Sequence, residues 1–133
     1  MVRAEHSSEL VSKDPITGAK RVFPGGEPAG YIIELENGFK IYHAGDTGIF
    51  GDMTLIGKLY DPDLSLLPIG GHFTMDPAHA AYAVNNLLKS KMVLPIHYGT
   101  FPPLKGTPEQ FKEALGSTSA KVIDMQPGDT RTF

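Results

Sequence analysis

Short apolar runs separated by turn-forming residues predict a β-hairpin in the first half of this chain. Residues 31–35 and 39–42 are rich in Ile, Leu, Tyr and Phe, and they flank Asn37-Gly38, a dipeptide typical of tight hairpin turns. Residues 1–5 predict a short strand. Residues 7–29 are rich in Ser, Gly, Pro and charge, and within this segment residues 23–28 predict a loop.

Beyond the hairpin, predicted helices and strands alternate. Asp52 is placed to cap a helix over 53–60, Asp76-Pro77 is placed to open one over 77–90, and Thr107-Pro108 begins a capping box ahead of 108–115, which Gly116 is placed to end. Apolar runs at 64–68 and 92–96 predict buried strands, and shorter strands are predicted at 121–124 and 130–133. This order predicts an α/β fold with a mixed sheet and its helices packed on one face.

Size and composition narrow the function classes. A length of 133 residues allows a single domain spanning 1–133, and a formal charge of -3 gives no basic footprint for nucleic acid. Apolar runs reach only about five residues, far below the roughly 20 that span a membrane. The absence of cysteine excludes disulfides and thiolate zinc sites and is compatible with a reducing cytoplasm.

The candidate chemistry lies at predicted strand ends. Four of the five histidines come directly after predicted strands or in the loops that follow them: His6, His43, His72 and His97. Asp46 lies in one of these loops between Gly45 and Gly48. The carboxyl ends of strands share one edge of an α/β sheet, and mixed nitrogen and oxygen ligands suit a divalent metal. The fifth histidine, His79, falls in the first turn of a predicted helix and is expected to be solvated.

Each residue also has an ordinary structural interpretation. Asp46 could be a turn or capping aspartate, and His97 a hydrogen-bonded histidine at a strand end. His6 alone is a weak ligand candidate. A core or supporting role is favoured for His43, whereas His72 fits a substrate contact or a plain loop position.

Together, the motifs resemble the metallo-β-lactamase superfamily, and within it the small metal-dependent hydrolases related to ascorbate-6-phosphate lactonases. The motifs are His6-Ser7-Ser8, YHAGDTG at 42–48, LPIGGHFTM at 67–75 and PIHYGTF at 95–101, with EPAGY at 27–31 and IFGDM at 49–53 in support. The resemblance covers essentially the whole chain.

The resemblance implies a site with two divalent metals, Zn²⁺ or Mn²⁺, and a role for each residue. His6 would bind the first metal, Asp46 would bridge both, and His97 would bind the second. A hydroxide activated by the metals would attack a lactone or an ester-like small molecule. His72 would contact the substrate, and His43 would support the Asp46 loop, which makes Asp46 and His72 the catalytic candidates.

The sequence departs from this family in one respect. Full members begin with a first half that carries a His-x-His-x-Asp-His motif, and no two histidines here are separated by one residue. The chain therefore resembles the second half of the fold only, and its three ligands leave two metals short of the usual four each. We expect the isolated chain to bind metal weakly or not at all.

Three functions remain open from the sequence. The chain could be a hydrolase, or a subunit of one, completed by a partner chain carrying the N-terminal half. It could be a non-catalytic half-fold that associates with itself as a homo-oligomer, or a small-molecule binding module with a histidine-lined crevice. In either of the first two cases, one apolar face of the sheet should be free to bury itself against another chain. Neither nucleic acid nor a membrane is an expected partner.

Overall fold

A computed structural model describes all residues from 1 to 133 and contains eight strands, three α-helices and a π-helical segment. The strands are β1 Val2–Arg3, β2 Leu10–Lys13, β3 Lys20–Phe23, β4 Ala29–Glu34, β5 Lys40–His43, β6 Leu64–Pro68, β7 Met92–Ile96 and β8 Lys121–Val122. The helices are α1 Met53–Tyr60, α2 Pro77–Tyr82, which continues directly into the π-helix Ala83–Leu88, and α3 Pro108–Leu115. No helix has the length and apolar character that crossing a membrane requires.

Six strands form one mixed sheet in the order β1-β4-β5-β6-β7-β8. The pairs β1–β4 and β4–β5 are antiparallel, and β5, β6, β7 and β8 run parallel. Tyr42, Ser65 and Val93 form one cross-strand row. The carboxyl ends of β5, β6 and β7 consequently meet at one edge of the sheet. The predicted α/β fold with a mixed sheet is confirmed.

One face of the sheet carries the core. Tyr42, Leu67 and Val93 point into a cluster to which every helix contributes buried side chains, including Met53, Ile56, Ala80, Ala81, Val84, Leu88, Phe111 and Leu115. This common cluster places the helices on one face of the sheet, as predicted. The phenol oxygen of Tyr42 is the only buried side-chain polar atom without a hydrogen-bond partner.

The opposite face of the sheet is apolar and poorly covered. The strand register puts Ile33 beside Ile41, and it puts His43 beside Leu66, which in turn pairs with Leu94. The side chains of these residues therefore lie on the face opposite the core. Ile33 is 45% exposed, whereas Ile41, Leu66 and Leu94 are half-buried. We call Ile33, Ile41, Leu66 and Leu94 the bare sheet face.

The loop predicted at 23–28 is found at 24–28, but the segment before it holds a hairpin that the sequence did not predict, in which β2 and β3 pair antiparallel. Its turn is closed by Asp14, whose carboxylate accepts the backbone N–H groups of Ile16 and Thr17 at 3.0 and 2.8 Å. Every residue of both strands is exposed. Without a buried side there is no alternation of apolar and polar residues to reveal the strands.

The helix boundaries follow the capping residues closely. Asp76 accepts the N–H of His79 at 2.8 Å, and Thr107 and Gln110 form the predicted capping box. Asp52 stands at the N-cap of α1 but makes no capping hydrogen bond with its side chain. The predicted helix over 77–90 ends at Leu88, its second half being the π-helix.

Two further details concern the sheet and the helix pair. The predicted strand at 130–133 is wrong, and Phe133 instead stacks on Phe39 with ring centroids 5.3 Å apart. In α1, a Cβ at Gly57 would lie 2.6 Å from the carbonyl oxygen of Leu88, so glycine permits the close approach of α1 to the π-helix.

Candidate metal centre

Asp46 and His97 come together at the carboxyl edge of the sheet. Asp46 lies just after β5 and His97 directly after β7, two strands away. His97 Nδ1 lies 3.5 Å from Asp46 Oδ1, and the side chains are 29% and 54% exposed. The parallel direction of β5, β6 and β7 brings these two loops to the same edge, so an imidazole nitrogen and a carboxylate oxygen face one another in a position that solvent reaches.

His6 follows β1 at the same edge but does not join this pair in a ligand cluster. Its Nδ1 donates to the carbonyl oxygen of Ser7 at 2.7 Å, which leaves the Nε2 lone pair available. Its ring packs edge-on against Phe73, with centroids 6.2 Å apart. Nowhere in the chain do three or more His, Cys, Asp or Glu side chains lie close enough to hold a metal ion.

His43 supports the loop that carries Asp46. Its Nδ1 accepts the N–H of Gly45 at 3.1 Å, so the ring proton is on Nε2 in the neutral form. Gly45 has φ +68°, and a Cβ there would lie 2.8 Å from the carbonyl oxygen of Ala29. His43 and Gly45 together therefore fix the backbone turn immediately before Asp46.

His72 and His97 share an unusual backbone conformation. Their φ angles are +66° and +54°, in the left-handed region that non-glycine residues rarely adopt. The turn around His72 is closed by Thr74, whose N–H and hydroxyl both donate to the carbonyl oxygen of Gly71 at 3.2 and 3.0 Å. The His72 ring lies against Phe73, with centroids 4.0 Å apart.

Two residues of the site escaped the sequence reasoning. Phe73 is 64% exposed and touches the rings of both His6 and His72. Thr47 is fully buried beside Asp46 and hydrogen bonds to the segment before His6. Each of them directly follows a candidate residue in the sequence, Phe73 after His72 and Thr47 after Asp46. This position was the only sequence feature that could have pointed to them.

A surface cavity of about 580 Å³ opens beside His97. It is lined by β7 and the loop after it together with the segment 125–127, including Leu94, Ile96, Tyr98, Thr100 and Met125. This volume is in the range that accommodates small molecules.

The donors present fit one side of a divalent metal site. Asp46 offers a carboxylate, His97 an imidazole next to it, and His6 a free Nε2 whose opposite ring nitrogen is hydrogen bonded, as is usual for metal-binding histidines. The number of donors is too small to complete the site. Any further ligands must come from outside these residues.

Comparison with known proteins gives a consistent result. Residues 1–98 match the model of the Beta-lactamase superfamily domain. The chain is 62% identical over 133 residues to a UPF0173 metal-dependent hydrolase of Cupriavidus necator, covering 99% of this chain and 46% of that protein. The chain thus spans about half the length of the curated relatives it matches.

Solved structures agree with the sequence matches. A metallo hydrolase from the hyperthermophilic archaeon Ignicoccus hospitalis superposes with a TM-score of 0.74 at 50% identity, over 82% of this chain and 47% of that one. A metallo-β-lactamase fold protein from Bacillus subtilis superposes with a TM-score of 0.53 at 13% identity, over 86% of this chain and 44% of that one, which is a likeness of fold alone.

Proposed function

Since the chain belongs to the β-lactamase superfamily domain family, we propose that it forms part of a metal-dependent hydrolase. The observation that carries this proposal is the contact between Asp46 and His97 at the carboxyl edge of the parallel strands. In α/β folds this edge is where ligands bind. The similarity to metal-dependent hydrolases over nearly the whole chain supports the same interpretation.

The proposed site holds two divalent cations, Zn²⁺ or Mn²⁺. Asp46 would bridge both cations, with His6 binding the first and His97 the second. A bridging carboxylate offsets the repulsion between two cations a few ångströms apart, and nitrogen and oxygen donors suit either metal. When bound, the cations would lower the pKa of a shared water so that it attacks as hydroxide at neutral pH.

The proposed substrate is a lactone or an ester-like small molecule. His72 would contact it, which is supported by its position in the loop after β6, and His43 would act indirectly through Gly45 on the Asp46 loop. The finer likeness to ascorbate-6-phosphate lactonases stays a prediction, and the sequence has no cluster of Arg or Lys that would mark a phosphate pocket.

The bare sheet face supports a second part of the proposal. Its apolar side chains would be buried against another polypeptide, either one carrying the complementary half of the fold or a second copy of this chain. Burial stabilises by about 25 cal/mol per Å² of apolar surface, so leaving such a face in water is unfavourable. The missing metal ligands would then come from the polypeptide that covers it. Sedimentation equilibrium that gave a monomer at all concentrations would contradict self-association.

A non-catalytic half-fold is the second candidate. It is favoured by one observation, namely that no three potential ligands converge in the chain. In that case the bare sheet face would be buried by self-association, and the Asp46–His97 contact would be a partly exposed polar contact worth at most about 1 kcal/mol.

Co-expression separates the two candidates. The chain would be produced with the portion of the Cupriavidus necator relative that it does not match, and the purified complex assayed for metal content and for hydrolysis of lactones and esters. In this complex, we expect Asp46→Asn to remove metal and activity together, because a neutral amide cannot balance two cations. His72→Ala should keep the metal and lower turnover or raise KM, while His79→Ala, at an exposed helix position, should change neither.

The hydrolase proposal fails if the complex forms yet holds no metal and hydrolyses nothing. The half-fold candidate fails if hydrolysis appears with added Zn²⁺ or Mn²⁺ and disappears with a chelator. Loss of metal in His72→Ala but not in Asp46→Asn would show that the two roles are reversed.

A further inference from the structure

Thr47 is a fully buried polar residue placed between two segments of the candidate metal centre. Its hydroxyl accepts the backbone N–H of Glu5 at 2.9 Å and donates to the carbonyl oxygen of Gly48 at 2.8 Å. The N–H of Gly48 in turn donates to the carbonyl oxygen of Glu5 at 2.7 Å. The segment that ends at His6 is therefore bound to the loop that carries Asp46 by a closed set of three hydrogen bonds.

The backbone of Thr47 reaches a third segment. Its carbonyl oxygen accepts the N–H of Met75 at 2.9 Å, and the carbonyl oxygen of Met75 accepts the N–H of Gly71 at 3.0 Å. His72 lies within the turn that these contacts close. Thr47 thus contacts both segments that bring His6 and His72 towards Asp46.

The sheet does little to hold His6 by itself. β1 consists of Val2–Arg3 alone and pairs only with Gly30 and Ala29 of β4. Beyond it, the N–H of Ala4 reaches the carbonyl oxygen of Pro28 at a long 3.3 Å. After Ala4, the chain is held by the hydrogen bonds of Glu5 to Thr47 and Gly48.

We propose that Thr47 is the positioning residue of the metal centre, holding His6 in place relative to Asp46 through its side-chain hydroxyl. The inference rests on the proposed function, because it assigns to the hydroxyl the placement of a metal ligand. A hydroxyl is required because the position must accept one hydrogen bond and donate another. Serine can do both, whereas valine, which has the shape of threonine, can do neither.

Nuclear magnetic resonance of the 133-residue chain tests this assignment without any enzyme assay. Thr47→Val and Thr47→Ser would be compared with wild type, and Ser65→Ala would be the control. Ser65 is also fully buried and its hydroxyl accepts that of Ser90 at 2.8 Å, but it lies within β6, in the row of Tyr42 and Val93. Its loss should weaken the fold without disturbing His6.

The first measurement needs no metal. In Thr47→Val we expect the amide of Glu5 to exchange at least about tenfold faster relative to the core amides, because it loses a hydrogen bond, and the contacts between the rings of His6 and Phe73 to disappear. Thr47→Ser and Ser65→Ala should keep both. If Thr47→Val does not fold, Thr47→Ala replaces it, since it differs from Thr47→Ser only by the hydroxyl.

The second measurement uses Mn²⁺, whose paramagnetism broadens the signals of nearby groups. In the co-expressed complex, which would supply the remaining ligands, Mn²⁺ should broaden Asp46, His97 and His6 when the chain is wild type, and in Thr47→Val the concentration needed for His6 should rise at least about tenfold while Asp46 and His97 respond as before. Equal behaviour of His6 in Thr47→Val and wild type, in either measurement, overturns the positioning role. Absence of Mn²⁺ broadening at all three residues in the wild-type complex counts instead against the ligand set of the proposed function, and the metal-free measurement on the 133-residue chain still decides the role of Thr47.

Discussion

Replacing Tyr42 by Phe should stabilise this protein, although tyrosine is the more polar residue and lies beside the candidate metal centre in sequence. The phenol oxygen of Tyr42 is buried and has no hydrogen-bond partner, and the side chain is fully enclosed by the core. In the unfolded chain the same hydroxyl hydrogen bonds to water. Folding therefore removes a hydrogen bond from this group and supplies none in return.

The size of the effect follows from two opposing contributions. A buried hydroxyl without a partner costs about 1–3 kcal/mol. Phe removes that cost but leaves a small gap where the oxygen was, and the atoms around the gap lose some dispersion contacts, by an amount on the order of 1 kcal/mol or less. We therefore expect Tyr42→Phe to raise the free energy of unfolding by about 1 kcal/mol, which for a chain of this length raises Tm by roughly 3–4 °C.

Alkaline pH sharpens the test. Burial raises the pKa of Tyr42 above its ordinary value near 10. The folded state thus keeps the phenol protonated where the unfolded state begins to release its proton, so this group's contribution to stability is intact below about pH 10 and falls as the pH rises further. Phe has no proton to lose. The advantage of Tyr42→Phe over wild type should consequently grow above pH 10.

Urea unfolding followed by circular dichroism at pH 7 and above pH 10 would measure both effects. Tyr31→Phe is the matched control, because Tyr31 is 52% exposed and its hydroxyl can remain hydrated; we expect no measurable change there. A loss of more than about 1 kcal/mol in Tyr42→Phe would refute the reasoning, since it would mean that the hydroxyl makes a stabilising hydrogen bond, for example to a buried water.

Three further predictions concern the packing, the surface and the charges. Gly57→Ala should destabilise the fold by about 2 kcal/mol in urea unfolding, because the new Cβ meets the backbone of Leu88. This cost exceeds the gain of about 1 kcal/mol that alanine brings to a helix relative to glycine. A gain in stability would contradict the close approach of α1 to the π-helix. Ile33→Lys should abolish any self-association in sedimentation without changing the circular dichroism spectrum, and an unchanged association would show that the bare sheet face is not the contact. Asp63 has a lowered pKa, chiefly because its carboxylate accepts the backbone N–H of Lys40. Asp63→Asn should therefore lower the free energy of unfolding by about 1 kcal/mol or less at pH 7. In acid unfolding this difference between variant and wild type should shrink below about pH 4, and a difference that grew there would contradict the assignment.

Local sequence signals were sufficient for most of the fold. The strand Leu64–Pro68 and the helices Met53–Tyr60 and Pro108–Leu115 have the predicted bounds, because caps, prolines and apolar runs act within a few residues of the elements they define. The hairpin of β2 and β3 was missed because nothing packs on it. The π-helix was missed because its residues have the apolar spacing of an ordinary helix, and its wider turn forms where the segment packs against α1.

For the candidate site, the sequence predicted which residues belong to it but not how they are arranged. The positions of Asp46 and His97 after strands were sufficient to suggest a shared edge, and the structure brings them within 3.5 Å. The placement of His6 depends on Thr47, a contact between residues more than forty positions apart that no local pattern contains. The number of converging ligands is likewise a tertiary property.

The left-handed backbone of His72 and His97 has a consequence for the evolution of this protein in the laboratory. Each costs about 1 kcal/mol or more relative to glycine, which adopts such angles freely. Random variants selected for heat resistance alone should therefore accumulate glycine or asparagine at these two positions, and lose the histidines in the process. Retention of both histidines under a purely thermal selection would mean that their rings contribute more to folding than their backbone angles cost. A library intended to improve thermal stability should hold these two codons fixed, because the substitutions that most easily raise Tm there would also remove two side chains of the proposed site.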